Sequence, residues 1–156
     1  MTKFASLVAN VADTFRVEII DELTDEVLTD KDGNPAYIDV LSTDSEAGRE
    51  FDRELRAKQR RSAMKSRNGI PEDSDPLEEN QRKLAKLTKG WHLVDPVTRE
   101  VLDVPCTPAN ALELYSEKGA HWLYVQAWVG ASKAANFMKR TTSSSGPNAS
   151  SEPVDA

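Results

Sequence analysis

The chain has 156 residues, 38% hydrophobic, 29% charged and only 6% aromatic, which leaves room for one modest core with part of the chain outside it. No apolar run approaches the roughly 20 residues of a membrane helix, and the N-terminal apolar patch is too short for a secretory signal, so a cytosolic protein is expected. Cys106 is the only cysteine, which excludes an internal disulfide and a thiolate zinc cluster, and the net charge of −6 is gathered early, with nine acidic against three basic residues over 1–43.

Residues 1–13 show no strand pattern and read as a loose arm. From Thr14 the pattern alternates: Phe15, Val17 and Ile19 face one way, Arg16 and Glu18 the other, as in a half-buried strand. Val27-Leu28 and Ala36–Leu41 read as two more strands, separated by the turn formers Asp30–Pro35. Thr43 and Glu46 stand at capping-box spacing, so a helix is expected from about Asp44 to Arg67. Its apolar stripe (Ala47, Phe51, Leu55) is confined to the first half, which predicts that this half docks and the second half projects.

Asn68-Gly69-Ile70-Pro71 breaks that helix, and 68–75 reads as a linker. Asp75 as N-cap and Pro76 at the first helical position restart a helix to about Lys89, with Gly90 suited to the left-handed position beyond its end. A hairpin follows, Trp91–Val94 and Glu100–Val104. Thr107-Pro108 then opens a helix to about Glu117, and a last helix is expected from about Ala120 to Lys139. Residues 141–156, rich in Ser and Thr, cannot offset their own ordering entropy and are expected to be disordered. The expected fold is therefore α+β: an N-terminal β-meander and long charged helix over 14–67, then a helix, β-hairpin and two C-terminal helices over 76–140.

Ile19–Leu28 and Leu93–Leu102 share a pattern: two apolar residues, Asp, one residue, an apolar residue, Thr, one residue, then Glu-Val-Leu. Asp opens such turns through its own side chain, so hairpins converge on this pattern, and a duplicated hairpin is the alternative.

Catalytic and metal chemistry find little support. Asp30, Asp32 and Asn34 fall at calcium-loop positions, but Pro35 replaces the required glycine and Leu41 the bidentate glutamate, so a β-turn is expected. His92 and His121 match no zinc spacing, Cys106 sits beside prolines where a small buried residue fits, and no glycine loop cradles a phosphate. Arg56, Lys58, Arg60, Arg61, Lys65 and Arg67 form a basic half-helix with no acid and no interleaved aromatic, which favours a solvated or protein-facing helix over a nucleic-acid site. No catalytic residue, metal ligand or cofactor is expected. The aromatic residues Tyr115, Trp122, Tyr124, Trp128 and Phe137 are the expected partner-binding set, since large aromatics contribute most to protein interfaces.

Three runs carry a resemblance: Leu87–Pro96 (LTKGWHLVDP), Val104–Tyr115 (VPCTPANALELY) and Ala135–Arg140 (ANFMKR), with Tyr37–Arg49 also similar. In these the chain resembles the small tail assembly chaperones of long-tailed, siphovirus-like bacteriophages. The resemblance implies a non-enzymatic protein of the host cytoplasm that binds the tape-measure protein, keeps its long helices soluble, helps recruit tail-tube protein during virion morphogenesis, and is absent from the mature virion. It offers no residue-level site, and the N-terminal strands depart from the mostly helical members of that group. Self-association is left open. The alternatives are a virion structural protein of the tail tube or head–tail connector and, behind it, a small nucleic-acid-binding phage protein.

Overall fold

The computed structural model describes residues 3, 4, 7, 13–65 and 75–138. Among these, the order is β1 (Phe15–Glu18), β2 (Tyr37–Val40), α1 (Glu46–Lys65), α2 (Pro76–Leu87), β3 (Thr88–Val94), β4 (Val101–Leu102), α3 (Pro108–Ser116), α4 (His121–Ser132) and a 3-10 turn at Ala134–Phe137. Most of the expected N-terminal arm, most of the expected linker and the whole expected tail lie outside the described residues.

The expected architecture, a meander in one half and a hairpin in the other, is corrected by the strand pairing. The fold is mixed α+β with one four-stranded antiparallel sheet, ordered β1-β2-β3-β4, running through both halves. β2 pairs with β3 across α1 and α2, with Tyr37 opposite His92, Ile38 opposite Trp91 and a register shift at Asp39/Val40. The reason is backbone satisfaction: Ile38 and Val40 are fully buried, and a strand at that depth cannot leave one edge unpaired. The third meander strand expected at Val27-Leu28 reaches only isolated bridges, Ile20 with Val27 and Thr29 with Pro35.

The helix starts follow local chemistry. Asp75 accepts from the amide of Leu77 at 3.0 Å, and Thr107 accepts from the amide of Asn110 at 3.1 Å, so Pro76 and Pro108 each sit where no donor is needed. The box expected at Thr43 and Glu46 is displaced. The Thr43 amide donates to the carbonyl of Ala131 at 2.9 Å, at the end of α4. Ser45 caps instead, its hydroxyl accepting from the amide of Gly48 at 3.3 Å. The left-handed end expected at Gly90 is also corrected. α2 stops at Leu87, where the Thr88 hydroxyl donates to the Leu84 carbonyl at 2.8 Å, and Gly90 lies within β3 opposite Asp39. α4 stops at Ser132, well before the expected Lys139.

The helices cover one sheet face. Val17, Ile38, Val40 and Leu93 meet Leu84 of α2, Ala111 and Tyr115 of α3, and Tyr124, Ala127 and Ala131 of α4. α4 packs across β1 and β2, and α1 packs against α2, tied by Lys83 to Asp52 at 3.0 Å and Lys86 to Glu54 at 3.7 Å. The approach of α4 to β1 requires Gly130, because a Cβ there would collide with a methyl of Val17. Alanine is ordinarily about 1 kcal/mol better than glycine in a helix. We therefore expect Gly130→Ala to go the other way and cost about 1–3 kcal/mol through overpacking. Val17→Ala should recover part of that loss; urea denaturation of both single variants and the double variant measures the coupling.

Candidate partner-binding surface

α4 reads HWLYVQAWVGAS, a helix without one Asp, Glu, Lys or Arg. Its inner side, Tyr124, Ala127, Gly130 and Ala131, is buried. Its outer side is the row His121, Val125, Val129 and Ser132, at helical spacing, with Val125 41% and Val129 56% exposed. Trp122 and Trp128 flank the row half-buried, and the Trp128 ring stacks on Tyr124 with centroids 6.1 Å apart. A helix that is apolar on every side is normally enclosed on every side. Here two valines one turn apart, Val125 and Val129, face out between His121 and Ser132.

Three of the five aromatic residues expected to meet a partner lie in the core. Tyr115, Tyr124 and Phe137 are buried. Tyr115 can sit there because its hydroxyl lies 2.7 Å from that of Thr88; burial pushes the phenol pKa up. Tyr124 packs edge-on against Tyr115, and Phe137 edge-on against Phe15. Trp122 and Trp128 are the two that reach the surface, beside Val125 and Val129, which the aromatic criterion passes over. The missed signal was the absence of any charge between Lys118 and Lys133.

Gln126 fixes the N-terminal hairpin to α4. Its amide group accepts from the Ile20 N–H at 2.8 Å and donates to the Ile20 carbonyl at 2.9 Å, replacing a strand partner at that edge. The hairpin so held matches the β3–β4 hairpin in its closing bonds, apart from one extra bond from the Thr98 amide to Asp95. Asp21 N–H donates to Glu26 C=O at 2.8 Å and Asp95 N–H to Glu100 C=O at 2.9 Å. Asp21 and Asp95 accept from the amides two residues on, Leu23 at 2.9 Å and Val97 at 2.8 Å. The fourth loop residue is left-handed in both, Asp25 at φ 61° and Arg99 at φ 64°. The two hairpins lie together, joined by Arg99 to Thr29 at 3.1 Å and Lys31 to Glu100 at 3.3 Å. Between them and α4 is an apolar cavity of about 90 Å³, whose walls include the matched residues Ile19, Leu28, Leu93 and Leu102, with Trp122 and Leu123.

The sheet face away from the helices is polar. Arg16 holds Asp39 through two hydrogen bonds of 2.9 and 3.1 Å and lies 3.6 Å over the ring of Tyr37. Tyr37 stacks on His92, and His92 Nε2 lies 2.9 Å from the buried carboxylate of Asp30. That carboxylate also accepts from the amides of Asp32 and Asn34, so the calcium-like spacing forms a side-chain-capped turn. The bond with His92 first, and the amide of Asn34 next, hold Asp30 below the ordinary carboxylate value. Cys106 is half-buried, and desolvation raises its thiol pKa. Among the described residues, no three His, Cys, Asp or Glu side chains converge as a metal-ligand group, and no helix is long and apolar enough to cross a membrane. No protein-family model matches the chain, and neither a curated protein nor a solved structure matches it.

Two outcomes follow from this geometry. Gln126→Ala strands both backbone groups of Ile20 and should cost about 1–3 kcal/mol, with faster amide exchange at Ile20 and its neighbours. Acid should also weaken the fold. Asp30 and Asp95 titrate lower when folded than the ordinary 3.8, Asp95 chiefly through the amide of Val97. Their contribution is therefore present in full above the unfolded value and lost as pH falls through the folded values. Asp95→Asn should flatten the stability profile on the acid side, read by urea denaturation between about pH 6 and about pH 2.5.

Proposed function

We propose that the chain is a tail assembly chaperone of a long-tailed bacteriophage, holding amphipathic segments of the tape-measure protein on the outer stripe of α4 and helping tail-tube subunits assemble around them. One observation carries the reading: an uncharged helix keeps Val125 and Val129 open between two half-exposed tryptophans. A row of apolar residues one helical turn apart suits the i, i+4 anchors of a client helix. The tryptophans supply a rigid apolar rim with little side-chain entropy to lose. The resemblance of the flanking segments to tail assembly chaperones supplies the identity of the client.

Co-expression with the tape-measure protein tests this. Val125→Lys with Val129→Lys places charge on positions already open to solvent, so circular dichroism should remain that of the wild type. We expect the client to lose solubility and co-purification with the folded double variant. Retention of both by that variant would place the binding surface elsewhere. Charge reversal on the basic half of α1 should lower client solubility less than the double valine variant does.

A further inference from the structure

We propose that the basic second half of α1 docks on the acidic tip of the N-terminal hairpin of a second copy of this chain, so that copies associate head to tail.

The first half of α1 pairs three of its four acids, through Arg53 to Glu46, Lys83 to Asp52 and Lys86 to Glu54. Beyond Glu54 the helix holds Arg56, Lys58, Arg60, Arg61 and Lys65 and no acid. Among the described residues, none of these five makes an ion pair. Two like-charged pairs, Arg56 with Arg60 and Arg61 with Lys65, stand at i, i+4, a spacing that destabilises an isolated helix. The helix dipole favours cations only in the last turn, so it does not account for Arg56 and Lys58. Met64 stands 86% exposed among the charges.

The complementary surface is on the same chain. The first hairpin tip presents Glu22, Asp25 and Glu26, all exposed and without an ion pair among the described residues, around Leu23, 92% exposed. Folding does not demand that acidity at Glu22 or Asp25, while Glu26 has an acidic counterpart in Glu100. The β3–β4 hairpin keeps the same closing bonds with Pro96 where Glu22 stands and Arg99 where Asp25 stands. Each surface thus has uncompensated charge of one sign around one exposed apolar side chain, and the signs are opposite. No ion pair joins them within the chain among the described residues, so the pairing is between copies, and the contact is heterologous. A polyanionic nucleic acid fits the arm less well: the stretch from Arg56 to Lys65 has no aromatic residue for stacking, and the net charge of −6 opposes a polyanion at long range.

Sedimentation velocity on the full chain tests the contact. The weight-average mass should rise with protein concentration at about 50 mM salt and fall to the monomer at about 500 mM, where the Debye length is only a few ångströms. Arg60→Glu with Arg61→Glu, and separately Glu22→Lys with Asp25→Lys, should each abolish association. An equimolar mixture of the two variants should restore it, because each supplies the surface the other has lost; a variant that had merely unfolded could not do so. A wild type that stays monomeric at low salt, a mixture that stays monomeric, or association indifferent to either reversal would overturn the proposal. Retention of nucleic acid by the arm without self-association would overturn it as well.

Discussion

The pairing of β2 with β3 is the constraint on which the other features rest. It joins strands separated by both α1 and α2, so its closure carries a large entropic cost before any contact offsets it. The offset comes from one layer. Ile38, Val40, Leu84 and Leu87 are all fully buried, and α2 leads into β3 without a loop. Helix and strand are therefore delivered to the core as a single continuous piece. Once β3 is seated beside β2, the two similar hairpins lie next to one another, their matched leucines share a cavity, and the sheet presents one unbroken face for α4 to cross.

What could be read in the sequence depended on range. Caps at Asp75 and Thr107 were legible because a side chain there bonds an amide two or three residues away, and Pro76 and Pro108 announce the same position. The capping box at Thr43 had the right letters but lost its donor to Ala131, far along the chain, so local chemistry yielded to a tertiary bond. The continuous sheet was not legible. A strand with one paired edge and a strand with two carry the same alternation, and only the burial of Ile38 and Val40 separates them. The inner and outer sides of α4 were equally hidden, since a helix apolar all round has no periodicity to mark its exposed row. Tyr115 and Tyr124 looked like interface residues by type, yet the Thr88 hydroxyl makes Tyr115 affordable in the core, and nothing in its neighbourhood of the sequence points to Thr88.

The hairpin repeat separates what a loop needs from what it is free to vary. Asp, Thr and a left-handed fourth residue recur because they close the turn through their own bonds. Neither loop uses glycine at the left-handed position, although both non-glycine residues bear the steric cost there. The positions without a role in closure differ in charge between the copies. One tip is acidic and the other is spent on holding its twin, through Arg99 to Thr29 and Glu100 to Lys31. A turn closed by its own bonds leaves its remaining positions free to take different contacts, whether the two hairpins arose by duplication or converged.

The open stripe of α4 and the charged arm of α1 would act on different terms. Exposed charges interact across several ångströms, hasten encounter and weaken with salt, while holding little once a complex has formed. Apolar contact acts only at short range but sets the lifetime of a complex through the surface it removes from water. Val125 and Val129 are short, and a cluster of this size buries too little area to hold a folded globular partner by itself. A long client helix engaging many copies needs no more than that from each. Weak association between copies would raise the local concentration of stripes along one client, so that many modest contacts hold together what a single one would release. On the proposed function, the arm and the stripe would serve one requirement from two directions: grip that is firm in number and reversible one site at a time.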